Sequence, residues 1–253
     1  MLGGIAEAVD HLYRNGLVVR ETSDGFFAQA LPDALVEPDC LLGSRLPYLA
    51  SLVKDDRFEQ KLEGAIEKAR AIALATEGAF LPSQFDNPEN PRVHERTTAR
   101  EILHAMAGER IDAFVVGVGT GGTISGVGRA LKARLAHPPR IIAVEPEASA
   151  TISRGERGPT KIQGLAAGFV PNNYDASVVD EVRTVSDRDA YETKVALARR
   201  EGLLVGISSG ASVKVALDVA REMGPEATIV TVLFDTGERY FSLDTYFTEE
   251  ADR

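Results

Sequence analysis

The chain has 253 residues, which is long for one ordinary domain of roughly 100 to 200 residues and short for two. Its composition, 44% hydrophobic and 26% charged, is typical of a soluble globular protein and excludes a disordered, fibrous or coiled-coil chain. The net charge of -10 and the lack of an apolar run near the ~20 residues of a membrane-spanning helix argue against nucleic-acid and membrane partners.

The start of the sequence and its cysteine content predict a cytoplasmic protein without disulfides. Met1-Leu-Gly-Gly lacks the basic and apolar regions of a signal peptide. Cys40 is the only cysteine and cannot form an internal disulfide, and no Cys/His cluster has the spacing of a zinc site. We therefore expect no bound metal and a cytoplasmic location.

The first sixty residues differ in pattern from the rest. A predicted helix over 5–13 is followed by two short strand-like runs that flank the turn Ser23-Asp24-Gly25, which predicts a β-hairpin. Helix and hairpin also occur together in winged-helix DNA-binding domains. Arg14 and Arg20 are the only Lys or Arg residues before Arg45, so DNA binding is not favoured.

From about residue 61, helical and strand-like segments alternate along the chain. Helices are predicted over 60–75, 93–106, 123–135, 187–200 and 209–223. Strands are predicted over 79–81, 112–118, 140–144, 203–205 and 227–233. This alternation predicts parallel strands in a layered α/β domain, with ligands bound at the carboxyl ends of the strands.

The segment Gly117-Val-Gly119-Thr120-Gly121-Gly122-Thr123 lies where an apolar strand ends and an amphipathic helix begins. Glycines allow positive φ and close approach of the backbone, and the N–H groups and dipole of a helix start favour an anion. The two threonine hydroxyls can add donors. We therefore predict that residues 119–123, which we call the glycine loop, bind one compact phosphate group. Tight packing of strand against helix is the alternative explanation of the glycines.

The same glycines raise a further alternative. Gly117, Gly119 and Gly122 satisfy the pattern G-x-G-x-x-G, and Glu145 closes the next predicted strand. This arrangement resembles a dinucleotide-binding fingerprint. The pattern alone is weak evidence, so the rest of the chain has to decide between a nicotinamide dinucleotide and a smaller phosphate ligand.

Seven short motifs follow one another along the chain. They are Gly64-Ala-Ile-Glu-Lys68, Gln84-Phe-Asp-Asn-Pro88, His94-Glu-Arg-Thr-Thr98, Gly119-Thr-Gly-Gly-Thr123, Lys161-Ile-Gln-Gly164, Gly206-Ile-Ser-Ser-Gly210 and Gly237-Glu-Arg-Tyr240. In this order, over roughly Glu63 to Phe247, they resemble the cysteine synthases. These are the O-acetylserine sulfhydrylase group of the fold-type II pyridoxal-phosphate enzymes, which are tryptophan synthase β-like.

The resemblance implies a fold and a division of the chain. It implies the three-layer, parallel-sheet α/β large domain of the fold-type II pyridoxal-phosphate enzymes over residues 86–253. A remnant of a reduced N-terminal small domain would occupy residues 61–85, and residues 1–60 would be an unmatched segment.

The resemblance also assigns a cofactor and site residues. The glycine loop would hold the phosphate of pyridoxal 5'-phosphate, and Ser208 would hydrogen-bond the nitrogen of its pyridine ring. Gln84 would lie near the substrate carboxylate, Gly164 would contact the substrate, and residues 161–169 would line the substrate entrance. Judged without the family, Ser208 and Ser209 are typical of helix caps.

The implied activity is replacement of the β-substituent of O-acetylserine by sulfide to give cysteine. The family also implies a homodimer, and docking of the C-terminal peptide of serine acetyltransferase as a possible partner interaction. The alternative is a non-catalytic module of the same fold that binds the phosphate or cofactor, or docks a partner.

One family feature is absent from the sequence. The lysine that carries the cofactor lies in a P-x-x-S-x-K-x-R type segment, followed by an S-G-N-T-G loop that grips the substrate, and neither motif occurs. The nearest match is Ser51-Leu-Val-Lys54-Asp-Asp-Arg57, which has one extra residue and lies too close to Gly64. We interpret Lys54 as a surface lysine, although it is the one candidate for the cofactor lysine. We therefore expect a truncated or rearranged family member with impaired catalysis.

Two smaller departures concern glycines of the family. Ala166 occupies the position of a glycine in G-I-G-A-G, where it adds a methyl group on the cofactor side, and Ala99 replaces a glycine after Thr97-Thr98. Five further lysines fall in predicted helices outside the expected site: Lys61, Lys68, Lys132, Lys194 and Lys214.

Overall fold

The computed structural model describes residues 17–22, 25–30, 58–240 and 247, and the chain divides into two units, Met1–Lys61 and Leu62–Arg253. In the first unit, β1 (Leu17–Thr22) and β2 (Gly25–Ala30) pair in antiparallel fashion, so the predicted hairpin is confirmed. The predicted helix over 5–13, Cys40 and the candidate Lys54 lie outside the described residues.

Helices and strands alternate along the rest of the described chain. The helices are α1 (Phe58–Ala75), α2 (Glu89–Arg96), α3 (Thr98–Ala105), α4 (Gly122–Arg134), α5 (Thr151–Arg154), α6 (Asp187–Ala196) and α7 (Ile207–Met223). The strands are β3 (Ala113–Gly117), β4 (Arg140–Pro146), β5 (Glu181–Val185) and β6 (Ile229–Thr231). A π-helical turn, Leu197–Glu201, continues α6, and 3-10 turns cover Glu147–Ser149 and Gly237–Tyr240.

The second unit is built on a parallel sheet with the strand order β5-β4-β3-β6. Its two inner strands are apolar along almost their whole length, and every residue of β3 is buried. Continuous apolar strands are typical of parallel sheets that helices cover on both faces. The sheet accordingly places the carboxyl ends of its strands at one edge, where α/β domains bind their ligands.

Two apolar cores, one on each face of the sheet, make the unit three-layered. On one face, Val115 and Ile142 pack with Ala190 of α6 and Ala211 of α7. On the other face, Phe114 and Ile141 pack with α4 and with residues of α3. The layered α/β fold predicted from the sequence is therefore confirmed. Among the described helices, none is long and apolar enough to cross a bilayer.

Three predicted elements differ in the structure. Residues 79–81 form no strand, and Phe80 is 73% exposed, because the short apolar run pairs with no neighbouring strand. The predicted strand 203–205 is reduced to one antiparallel bridge between Val205 and Thr236. The predicted helix 93–106 is broken at Thr97, whose hydroxyl donates to the carbonyl of Val93 at 2.6 Å, a contact that favours bending.

Candidate functional site

The glycine loop joins the end of β3 to the start of α4, at the carboxyl edge of the sheet. Gly121 is the N-cap of α4 with φ of 80°, a left-handed conformation that favours glycine, and no side chain caps this end of the 13-residue helix. The N-cap residue therefore offers no side-chain acceptor to the amide groups of the first turn, of which the Gly122 amide donates to Thr120 Oγ1 at 3.4 Å. Such a helix start favours an anion.

Two side chains from α2 reach the threonine hydroxyls of the loop. Thr120 Oγ1 accepts hydrogen bonds from Asn90 Nδ2 at 3.0 Å and from the Gly122 amide at 3.4 Å. His94 contacts Thr123 Oγ1 through Nε2 at 3.3 Å and Thr98 Oγ1 through Nδ1 at 3.0 Å. The sequence motif around His94 was identified, but its position beside the loop was not predicted.

Three segments that are distant in sequence meet at the loop. A Cβ atom built on Gly119 would lie 2.4 Å from the carbonyl oxygen of Gly164, so these two backbones are in contact. A Cβ built on Gly164 would lie 3.9 Å from Ser208 Oγ. The glycine loop, the predicted entrance segment and Ser208 are therefore neighbours, with glycines rather than side chains between them.

Serines at the start of α7 have different environments. Ser209 Oγ accepts a hydrogen bond from the Phe234 amide at 3.0 Å, and Ser212 Oγ accepts from the Gly117 amide and donates to the Ser208 carbonyl, both at 3.0 Å. The N-cap of α7 is Gly206, without a side-chain cap, so the interpretation of Ser208 and Ser209 as helix caps is wrong. Ser208 is 5% exposed, and its hydroxyl lies on the side of Gly164.

Gln84 is held through its main chain. Its carbonyl oxygen accepts hydrogen bonds from Asn90 Nδ2 at 2.7 Å and from Asn173 Nδ2 at 2.8 Å. Asn90 thus contacts both Gln84 and the glycine loop, which brings the predicted substrate-carboxylate residue next to the predicted phosphate site. Neither asparagine was singled out in the sequence, because no local pattern marks a contact between residues so far apart.

The entrance segment has an unusual backbone. Gly164, Ala166 and Gly168 have φ angles of 91°, 54° and 81°, all in the left-handed region. A side chain at such a φ is strained, which fits the identification of Ala166 as the residue in a glycine position. Asp187 anchors the start of the segment by accepting hydrogen bonds from Thr160 Oγ1 at 2.6 Å and from the Lys161 amide at 2.7 Å.

Glu145 has a structural role that argues against the dinucleotide alternative. Its buried carboxylate accepts hydrogen bonds from the amides of Ile152 at 2.7 Å and Ser153 at 2.9 Å, at the start of α5. The acidic residue expected to bind a ribose is therefore occupied by the protein itself.

Burial, together with the charge of Glu145, raises the pKa of Tyr174 to about 12. The backbone of Tyr174 packs against Gly121, which ties this cluster to the loop.

Three lysines in the described helices have partners of their own. Lys132 Nζ forms an ion pair with Asp180 at 2.6 Å, and Lys214 pairs with Asp218 in the next turn of α7. Lys194 is 5% exposed and lies over the ring of Tyr191, 5.4 Å from its centre. Within the described ranges, no group of three or more His, Cys, Asp or Glu residues could hold a metal ion.

Comparison with known proteins shows the class to which the chain belongs. The sequence pattern described as "Pyridoxal-phosphate dependent enzyme" matches residues 49–235. The chain is 47% identical over 199 residues to cysteine synthase of Staphylococcus aureus (strain N315), a match that covers 79% of this chain and 63% of the relative. The chain thus spans less than two thirds of the length of the curated relatives it matches.

Solved structures agree with this class. An O-ureido-L-serine synthase variant with O-ureido-L-serine bound is 42% identical, has a TM-score of 0.67, and is matched over 76% of this chain and 62% of its own. Cysteine synthase of Entamoeba histolytica is 37% identical with a TM-score of 0.68, over 74% of this chain and 55% of its own. The chain belongs to the pyridoxal-phosphate dependent enzyme family, and within that family it is similar to cysteine synthases.

Pyridoxal 5'-phosphate is the cofactor of this family, as the motifs predicted. The described residues fit it. A helix start without a side-chain N-cap and with two threonines provides an anion site, a buried neutral hydroxyl lies close by at Ser208, and the residues between them are glycines, which carry no side chain. This arrangement suits a flat ring that carries a phosphate at one end and a nitrogen at the other.

Proposed function

We propose that the chain binds pyridoxal 5'-phosphate between the glycine loop and Ser208 and that it is a cysteine-synthase-like protein with impaired catalysis. The observation that carries the proposal is that Gly119 contacts Gly164 and that Ser208 Oγ lies 3.9 Å from the position that a Cβ on Gly164 would take. These three positions come from three separate motifs, and a packing role for the loop alone does not explain why they meet.

Each part of the site has a distinct task in this proposal. The amides at the start of α4 and the hydroxyls of Thr120 and Thr123 bind the phosphate. Ser208 donates to or accepts from the ring nitrogen without adding a charge. Gln84 lies beside the loop through Asn90 and orients the substrate carboxylate, and Gly164 leaves room for the substrate.

Bound there, pyridoxal 5'-phosphate would withdraw electrons from the amino-acid substrate, and a neutral partner at its ring nitrogen favours β-replacement on O-acetylserine over transamination. In this proposal Gln84 and Gly164 hold the substrate. A lysine amine would have to move the protons, and Lys132, Lys194 and Lys214 are engaged with other side chains. We therefore propose that catalysis of cysteine formation is impaired.

A titration of the purified chain with pyridoxal 5'-phosphate, followed by absorbance, tests the binding proposal. We expect reversible binding that Ser208→Ala weakens while thermal stability stays unchanged. Ser209→Ala is the matched control, because its hydroxyl holds the Phe234 amide and its loss lowers stability instead. Absence of binding at millimolar cofactor would refute the proposal.

A borohydride trap followed by peptide mass spectrometry tests the proposal about the lysine. We expect no covalent link between the cofactor and a lysine, and little cysteine formed from O-acetylserine and sulfide. A trapped link on Lys54, or rapid cysteine formation, would show instead that the chain is a competent enzyme.

The second candidate function is a non-catalytic module that binds the cofactor or docks a partner. The engagement of Lys132, Lys194 and Lys214 with other side chains favours it over full catalysis. Cofactor binding without any turnover of amino acids by the chain would support this function. Tight binding of a nicotinamide dinucleotide would support neither candidate.

The assembly state and location follow from family analogy. We propose a cytoplasmic homodimer that docks the C-terminal peptide of serine acetyltransferase. Light scattering measures the mass of the particle, and fluorescence anisotropy with a labelled peptide measures docking. A monomer, or a peptide that does not bind, would contradict the corresponding part of this proposal.

A further inference from the structure

Asn90 contacts both Gln84, the proposed substrate-carboxylate residue, and the glycine loop, the proposed phosphate site. It lies in the first turn of α2, and its Nδ2 donates to the carbonyl oxygen of Gln84 at 2.7 Å and to Thr120 Oγ1 at 3.0 Å. Its Oδ1 lies 1.9 Å from the position that a Cβ on Gly122 would take. Asn90 therefore packs directly on the glycine loop, and only glycine at 122 allows it to do so.

The directions of these hydrogen bonds follow from chemistry. A main-chain carbonyl can only accept, so the Asn90 atom that faces Gln84 must be the nitrogen. The same nitrogen then donates to Thr120 Oγ1, which also accepts from the amide of Gly122 at 3.4 Å. Because this oxygen already accepts twice, the hydroxyl hydrogen of Thr120 is left to donate to another acceptor.

We propose that Asn90 is a positioning residue that makes the Thr120 hydroxyl a donor to a phosphate bound in the glycine loop. The inference rests on the proposed function, since it needs a phosphate at that place. Asn90 does not touch the phosphate itself and acts through Thr120. A hydrogen bond to a charged group contributes enough that losing its orientation weakens binding about tenfold.

A double-mutant cycle tests this coupling. The dissociation constant of pyridoxal 5'-phosphate is measured for the parent chain, Asn90→Ala, Thr120→Val and the double variant. We expect each single change to weaken binding about tenfold and the double variant to bind as Thr120→Val does. A structural role for Asn90 alone would give additive losses, and that result would overturn the inference.

Asn173 provides the matched control. It donates to the same Gln84 carbonyl at 2.8 Å, and no hydrogen bond joins its side chain to Thr120. Asn173→Ala should therefore change the dissociation constant less than about twofold, within the error of additivity. An equal loss in Asn173→Ala and Asn90→Ala would assign the effect to Gln84 and overturn the inference.

A second variant covers a failure of Asn90→Ala to fold. Asn90→Asp keeps the size of the side chain but cannot donate to Thr120, and it should weaken binding by tenfold or more. Unchanged binding in this variant would also overturn the inference. If the parent chain binds no pyridoxal 5'-phosphate, the proposed function fails first and the inference fails with it.

Discussion

Gly126 and Gly128 lie on the same helix, α4, and provide a matched pair of substitutions. Replacing either with alanine gains about 1 kcal/mol of intrinsic helix stability. Their surroundings differ. A Cβ on Gly126 would lie 2.1 Å from the Pro91 carbonyl oxygen and 2.9 Å from the Glu95 amide nitrogen, both main-chain atoms. A Cβ on Gly128 would lie 3.3 Å from a methyl group of Val178.

These distances set the expected signs. To relieve the contact at Gly126, α2 would have to move by about 1 Å relative to α4, and overpacking this severe against main-chain atoms costs roughly 2 to 3 kcal/mol, the upper part of the usual range. We expect Gly126→Ala to lower the free energy of unfolding by about 1 to 2 kcal/mol. Gly128→Ala needs a shift of only a few tenths of an ångström, so it should be neutral or stabilising by up to about 1 kcal/mol.

The same displacement should affect cofactor binding. Helix α2 carries Asn90 and His94, which contact the two threonines of the glycine loop, so its movement in Gly126→Ala should weaken binding of pyridoxal 5'-phosphate. Urea unfolding followed by circular dichroism gives the stabilities, and absorbance titration gives the affinities. Equal stability and equal affinity in the two alanine variants would refute the close packing of α2 on α4.

Other substitutions test other parts of the structure. Ala166→Gly should raise the free energy of unfolding by up to about 1 kcal/mol because it relieves a left-handed residue, and a loss in thermal unfolding would contradict that strain. Burial raises the pKa of Tyr174 and of Tyr240 to about 12, so their contribution to stability is complete below pH 10 and is lost as the pH rises to about 12. Tyr240→Phe should make that loss of stability less steep in unfolding measured across this pH range, whereas an unchanged slope would contradict the burial effect. Asp187→Ala should lower stability by roughly 1 to 2 kcal/mol by freeing the Lys161 amide, and an unchanged melting temperature would argue against this anchor.

The inner part of the sheet could be predicted because its strands are buried on both faces. The sequences of β3 and β4 are nearly continuous apolar runs, and the structure has strands at those positions. The edge strand β5 has the sequence Glu-Val-Arg-Thr-Val and was not predicted. Arg183 forms ion pairs with Glu181 and Glu222, so charged residues stand where an inner strand has apolar ones. Charged side chains are typical of edge strands, which therefore lack the apolar run by which inner strands are predicted.

Two short apolar runs were predicted as strands but do not form them. Residues 79–81 and 203–205 are apolar, but Phe80, Leu203 and Leu204 are all at least 43% exposed and their backbones join no sheet. A run of three residues carries no periodicity that separates a strand from an exposed loop. Whether such a run forms a strand depends on its pairing with a segment distant in sequence, and the local sequence does not show that pairing.

The glycine loop is predicted from the sequence, but the reason for each of its glycines comes from the structure. The sequence suggested two reasons for its glycines, a bound phosphate or tight packing. Gly121 has a left-handed φ at the helix start, so the turn itself requires glycine there. Gly122 is helical, and a side chain there is excluded because Asn90 Oδ1 occupies the space that a Cβ on Gly122 would take. Asn90 lies thirty positions before Thr120 in the sequence. The packing reason therefore holds at Gly122, whereas the conformation of the turn accounts for Gly121. The packing reason also serves the anion site, because the residue that packs on Gly122 is the one that orients Thr120.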